Sequence, residues 1–246
     1  EQLCDQQFGL KESFGASAGN LSLALLGLGV LAQSRGAGWP AGVHRAHYLR
    51  SGMLGLCLIG GVRAAVYNLQ RASDTAPLPY LPVINPLDLS SLIGAFVALA
   101  WLRRLRGQQP PLCSVTQARW GLGVVCALLF AWWNAQLARS VHHYAGVPFA
   151  IEAVLDSSAF QLACSLSWTT IALLIMWLAH RRAQRVPWIC AAVLLGVVVA
   201  KLFLLDLSQL STPTKIVSFL GVGGLLLLIG YVAPVPPRAA ALEPQP

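Results

Sequence analysis

The chain has 246 residues, of which 56% are hydrophobic and only 11% are charged, and its formal net charge is +8. Soluble domains carry about 25% charged residues, so this composition excludes a water-soluble domain, and it equally excludes collagen, a coiled coil, a disordered chain and a disulfide-stapled secreted domain. Together with a mean hydropathy of +0.63, it indicates a polytopic membrane protein. The basic residues lie in short runs between apolar stretches, as membrane orientation requires, and we expect no nucleic-acid partner.

Uncharged stretches predict seven membrane-spanning helices, because a span needs about 17–25 mostly apolar residues. The fold class that this predicts is an all-α integral membrane helix bundle. One transmembrane domain would cover residues 1–233, and the prolines of segment 234–246 predict a disordered tail. The predicted spans are 14–34, 48–68, 86–103, 119–138, 156–180, 186–205 and 213–233.

The distribution of basic residues predicts the orientation of these helices. The loops after the first, third and fifth spans and the tail hold eleven Lys and Arg residues, whereas the opposite loops hold four, among them Arg139. The positive-inside rule then places the N-terminus outside and the C-terminus in the cytoplasm. The sequence Asn85-Pro86-Leu87-Asp88 predicts a helix start, with an N-cap, a proline at the first helical position and an acid in the first turn.

Two ionisable residues, Arg63 and Lys201, fall within predicted spans, where a charge is costly and often functional. The alternative is that each side chain reaches the nearer membrane surface. Helical side chains tilt toward the helix N-terminus, which favours inward pairing with acids of the outer side in this orientation. Asp88 and Asp156 could instead be acids of the first turn of a helix, without an ion-pair partner. The predicted intramembrane charge network comprises Arg63, Lys201, Asp88, Asp156 and Asp206.

Polar and small residues also mark two helix faces. Gln161, Ser165 and Trp168 lie at positions i, i+4 and i+7 of the fifth span and therefore share one face. Such a polar face turns toward a neighbouring helix in a bilayer, and we favour helix packing over a substrate path. The pair Gly15 and Gly19 forms a GxxxG pattern that could allow close helix packing.

No pattern in the sequence indicates a metal or a cofactor, and we expect neither. The six cysteines form no CxxC pair and are interpreted as small buried apolar residues. His142 and His143 are adjacent, so they point apart on regular structure and are poor co-ligands. Nucleophile-elbow, zinc-protease, Walker and dinucleotide-binding patterns do not occur.

Several segments resemble a known family. The run from Lys201 to Leu210 (KLFLLDLSQL), followed by Ser218-Phe219-Leu220-Gly221 and Gly230-Tyr231, is similar to the C-terminal end of the bacterial predicted-membrane-protein family catalogued as domain of unknown function 2339. The segment from Tyr80 to Leu89, His143, Gly146 and the face from Gln161 to Trp168 are also similar to it, so the resemblance covers about residues 75–235.

The resemblance implies a very long polytopic protein of the bacterial cytoplasmic (inner) membrane, of which this chain would be the last part. In such proteins a soluble coiled-coil segment often precedes the membrane helices. The resemblance implies no catalytic residues. The partners that we expect are the lipid bilayer and further transmembrane helices of the same or another chain.

Two functions remain open from the sequence. The first is a non-enzymatic membrane module of a larger transport-related or envelope scaffold protein. The second is a membrane enzyme that acts on lipid-linked envelope precursors at the outer face, using the three aspartates and the His142-His143 loop, with cations that hold phosphate. An enzyme or carrier requires these groups to converge on one outer-facing pocket, whereas a scaffold requires only separate pairs and helix caps.

Overall fold

A computed structural model of the chain describes residues 12–36, 38–40, 42–73 and 80–201, together with Gly223, Gly224 and Leu227. Asp206, nearly all of the predicted span 213–233 and the predicted tail 234–246 lie outside the described residues.

The described part of the chain is helical and contains no strand, which confirms the all-α class. Its helices, in chain order, are α1 (Glu12–Gln33), α2 (Arg45–Gln70), α3 (Pro86–Arg106), α4 (Val115–Ala145), α5 (Ile151–Asp156), α6 (Ser158–Arg181) and α7 (Arg185–Lys201). Five of these helices are long and apolar enough to cross a membrane, namely α1 from Phe14 onward, α2, α3, α4 and α6.

Local sequence explains where α3 begins and ends. The side-chain oxygen of Asn85 accepts a hydrogen bond from the backbone N–H of Asp88 at 2.9 Å, and Pro86 occupies the first helical position. Both features satisfy or remove amide donors that have no partner inside the helix. Three arginines occupy the last turn, where a positive charge interacts favourably with the negative end of the helix dipole. Gly107 follows the helix.

Helix α4 is longer than the uncharged stretch that predicted it. It begins after Ser114, which forms a capping box with Gln117, and ends at Gly146, whose φ of 70° suits a residue without a side chain. Its 31 residues correspond to about 46 Å, against a hydrocarbon core of about 30 Å. The last turns of α4 therefore contain Arg139, which the sequence had assigned to the following loop.

The chain divides into two compact units, Glu1–Phe160 and Gln161–Pro246. In the first, α1 packs against α2 and α3, and α4 packs against α2 and α3. Leu31, Leu49, Met53, Val97 and Trp101 belong to its apolar core.

Hydrogen bonds in the first unit show which helix ends meet. The indole N–H of Trp101 donates to the carbonyl of Leu49 at 2.6 Å, so the end of α3 lies beside the start of α2. At the other end, the amide of Asn68 donates to the hydroxyl of Ser91 at 2.9 Å. We call this second end, where α2 and α4 finish and α3 starts, the Asp88 end. In the second unit, α6 and α7 pack through Ala172, Met176, Ala191 and Leu195.

Candidate functional site

An ion pair between Asp88 and Arg139 lies at the centre of the Asp88 end. The guanidinium Nη2 of Arg139 lies 2.5 Å from Oδ1 of Asp88, and both side chains have no solvent exposure. A charge removed from water is stable only when it is paired and hydrogen-bonded. The surrounding groups therefore decide whether this pair is tolerated.

The guanidinium of Arg139 has two further acceptors. Its Nη1 donates to the backbone carbonyl of Asn68 at 3.0 Å, and its Nη2 also donates to the side-chain oxygen of Gln136 at 3.1 Å. Asn68 lies in the last turn of α2, where carbonyls have no partner within the helix. Arg139 thus caps α2 and places its positive charge at the negative end of that helix dipole.

The carboxylate of Asp88 is bonded on both oxygens. Its Oδ1 also accepts the indole N–H of Trp132 at 2.8 Å, and its Oδ2 accepts the side-chain amide N–H of Asn85. The carboxylate lies in the first turn of α3, where the helix dipole favours a negative charge. Four fixed features therefore surround the carboxylate: a guanidinium, an indole, an amide and the N-terminal end of a helix.

Aromatic side chains of Tyr80, His143 and Tyr144 pack together at the Asp88 end. The ring of Tyr80 stacks on His143 with centroids 4.0 Å apart, and Nε2 of His143 lies 2.9 Å from the carbonyl of Ala72. The hydroxyl of Tyr144 donates to the carbonyl of Tyr80 at 3.0 Å. Burial raises the pKa of the Tyr80 phenol, and the charge of Arg139 opposes part of that rise.

Arg63, which is one of the predicted network residues, has a different environment. Its guanidinium lies over the ring of Tyr67, 5.0 Å from the centroid. It also packs on Gly19 so closely that a Cβ there would lie 2.5 Å from Nη2 of Arg63. The second glycine of the GxxxG pattern therefore makes room for this guanidinium, and among the described residues no acid forms a salt bridge with Arg63.

Within the described part of the first unit, neither Arg63 nor Asp156 joins the Asp88 ion pair. The ion-pair partner of Asp88 is Arg139, rather than Arg63, which the sequence had suggested. Asp156 is exposed at the last residue of α5, and Ser157 rather than Asp156 caps α6 through the N–H of Phe160. Asp206 lies outside the described residues.

Within the second unit, the structure brings Lys201 to the polar face of α6. The ammonium of Lys201 donates to the carbonyl of Gln161 at 3.1 Å and to the hydroxyl of Ser165 at 2.8 Å. Trp168 is partly buried on the same face. These bonds join α7 to α6, as expected when polar groups pack against a neighbouring helix.

Arg139 was not among the predicted site residues, because the first charge after an apolar stretch normally marks the end of a span. A usable signal was present, since Trp132, Gln136, Arg139 and His143 recur at positions i, i+4, i+7 and i+11 and so share one face of α4. Among the described residues, no three His, Cys, Asp or Glu side chains are placed to hold a metal ion.

Comparison with known families agrees with this membrane bundle. A family described as predicted membrane protein (DUF2339) matches residues 4–236. The chain belongs to this family. The DUF2339 match covers nearly the whole of this chain, and it identifies the apolar helices as those of a membrane protein. No curated protein and no solved structure matches the chain.

Proposed function

We propose that the chain is the C-terminal, non-enzymatic membrane module of a larger transport-related or envelope scaffold protein of the bacterial inner membrane. The observation that carries this proposal is the closed environment of Asp88. Its carboxylate is fully buried, its two oxygens accept three side-chain hydrogen bonds, and one of the donors is the buried guanidinium of Arg139. The polar side chains at this site are therefore hydrogen-bonded to one another.

A catalytic carboxylate requires a different environment. A general base or nucleophile must reach the substrate and must have an oxygen lone pair available to it. Three fixed donors and complete burial oppose both requirements at Asp88. The same contacts suit a scaffold, because the pair ties together α2, α3 and α4 at positions that otherwise leave helix-terminal groups unbonded.

Exposed apolar side chains support the partners that we propose, the lipid bilayer and further transmembrane helices. Leu58, Ile59 and Val62 of α2 are each more than half exposed in the described unit, as are Leu162 and Leu166 of α6 in the other. In water such surfaces would be costly, whereas lipid tails or apolar helix faces cover them at no cost.

The test compares folding with function in cells that lack the full-length protein. The single variant Asp88→Asn and the double variant Asp88→Asn/Arg139→Gln are returned to these cells, and immunoblotting measures the amount of membrane-inserted protein. The scaffold proposal predicts that survival of osmotic shock and of cell-wall antibiotics follows the amount of folded protein, so the double variant performs better than the single one.

The enzyme alternative makes the opposite prediction. A double variant that accumulates to the wild-type level but behaves like the deletion would show that the carboxylate has a chemical role. In that case mass spectrometry of lipid extracts should detect a lipid-linked precursor that builds up in these cells, and the scaffold proposal would be abandoned.

We also propose that the Asp88 end faces the outside of the cell, following the asymmetry of basic residues. Alkaline phosphatase, which is active only outside the cytoplasm, would be fused after Gly107 and after Gly146 in separate truncations. This orientation predicts activity for the fusion after Gly146 and none for the fusion after Gly107, and the reverse pattern would refute it.

A further inference from the structure

A cavity of about 120 Å³ lies among α1, α2, α3 and α4 in the first unit. Small residues of α2 and α3 form much of its wall, among them Gly60, Gly61, Ala64, Gly94 and Ala98. A side chain at Gly60 or Gly94 would meet no atom within 4 Å of its Cβ, so the space beside these two residues is open.

The lining of the cavity is polar at one end and apolar along the rest. Asn68, Ser90 and Ser91 line it at the Asp88 end, whereas Leu56 and Val97 line it farther along the helices. Along α2 the lining extends from Leu56 to Leu69, a helical rise of about 20 Å. The cavity therefore has the polarity of an elongated amphiphile, and no Asp, Glu, Lys, Arg or His side chain lines it.

Asn20 of α1 lines this cavity with an unused amide. The residue is 5% exposed, and neither its side-chain nitrogen nor its oxygen has a hydrogen-bond partner in the structure. The side-chain oxygen of Asn68 is also without a partner, although its nitrogen is bonded. Buried amide groups are nearly always hydrogen-bonded, so the lining offers a donor and two acceptors to a bound molecule.

We propose that this cavity binds a small uncharged amphiphile that carries one hydroxyl or carboxamide group. That group would bond to the amide of Asn20 and to the free oxygen of Asn68, and a short hydrocarbon part would lie along the glycine and alanine wall. The absence of ionisable side chains from the lining disfavours a charged head group. The volume of the cavity also limits the size of the hydrocarbon part, since an apolar cavity of about 150 Å³ accommodates benzene.

The proposal is tested with the full chain in nanodiscs of zwitterionic lipid. The probe is a primary alcohol of about six carbons that carries a photoreactive diazirine on its hydrocarbon part, and the matched probe lacks only the hydroxyl. Peptide mapping should locate the label on the segments around Gly60 and Gly94, and unlabelled 1-hexanol should compete for it. We expect the alcohol to label these segments about tenfold more than the hydrocarbon, which corresponds to one hydrogen bond.

Matched variants separate the cavity from the general membrane surface. Gly94→Leu should abolish the label, and Gly60→Leu repeats the test if Gly94→Leu does not fold. Gly123→Leu is the control, because Gly123 is exposed on α4, does not line the cavity and has open space around a Cβ. This control should keep the wild-type label.

A third variant tests the role of the amide itself. Asn20→Leu should remove the preference for the alcohol while the protein remains folded, because the substitution deletes a buried amide without a partner. Equal labelling by both probes in the wild-type protein would overturn the proposal in favour of a lipid tail. A label that survives Gly94→Leu and Gly60→Leu, or no competable label at all, would overturn it as well.

Discussion

Arg139 and Asp88 lie 51 residues apart in the chain, and their side chains form an ion pair at the meeting point of three helix ends. Arg139 also bonds the carbonyl of Asn68 near the end of α2, which that helix leaves without a partner, and Asp88 lies in the first turn of α3. The pair thus combines one helix cap with one salt bridge. Its charges are stabilised by both helix dipoles as well as by each other.

The indole of Trp132 should contribute measurably to this arrangement. Trp132→Phe removes the N–H that donates to Asp88 at 2.8 Å and leaves most of the ring. A hydrogen bond to a charged group contributes about 1.5–3 kcal/mol, so we expect a loss of that size in the free energy of unfolding, measured by denaturant titration in detergent.

The neighbouring tryptophan supplies a matched control for that measurement. The indole N–H of Trp133 is buried and has no hydrogen-bond partner in the structure. Trp133→Phe should therefore leave the free energy of unfolding unchanged or raise it. Equal losses in the two variants would mean that ring packing, rather than the bond to Asp88, determines the effect.

The contact of Lys201 with α6 leads to a second prediction. Ser165→Ala removes an acceptor 2.8 Å from the ammonium of Lys201 and should lower the free energy of unfolding by about 1–3 kcal/mol. Ser167→Ala is the control, since that hydroxyl bonds only the carbonyl of Cys164 within its own helix. The account of this contact fails if Ser167→Ala costs as much as Ser165→Ala in the same titration.

Tyr80 predicts how the stability of the Asp88 end depends on pH. Burial raises the pKa of its phenol above the ordinary value of about 10, so the unfolded chain releases this proton first as pH rises. The contribution of Tyr80 is therefore complete below about pH 10 and is lost as the pH rises toward the folded-state pKa.

The measurement is the midpoint of thermal unfolding between about pH 8 and pH 11. Tyr80→Phe should make the decline at high pH shallower. Tyr144→Phe, at an exposed tyrosine nearby, should keep the decline of the wild-type protein. A wild-type slope in Tyr80→Phe would show that another group causes the decline.

The sequence was informative where a single helix determines the outcome. The cap at Asn85, the proline at Pro86 and the acid at Asp88 each follow from the needs of one helix end, and the structure has all three in these roles. The polar face of α6 likewise follows from helical periodicity, and its contact with Lys201 lies within one unit of the fold.

The sequence was less informative where two helices must meet. A search for uncharged stretches ends a span at the first arginine, so the fourth predicted span ends before Arg139. In the structure Arg139 belongs to α4 and its side chain is completely buried. Such a search fails at a buried charge, because a partner on another helix makes the charge tolerable within a span. Which acid faces Arg139 depends on the packing of α3 against α4, and that packing cannot be read from either helix alone.

The mutual stabilisation of Asp88 and Arg139 is measured by a double-mutant cycle, in which Asp88→Asn, Arg139→Gln and the double variant are compared by free energy of unfolding in bicelles. Each single variant leaves an uncompensated buried charge and should cost about 3–5 kcal/mol. The double variant should lose less free energy of unfolding than either single variant, because neither charge then remains without a partner. Strictly additive losses would contradict this expectation, since they would mean that the two side chains do not stabilise each other.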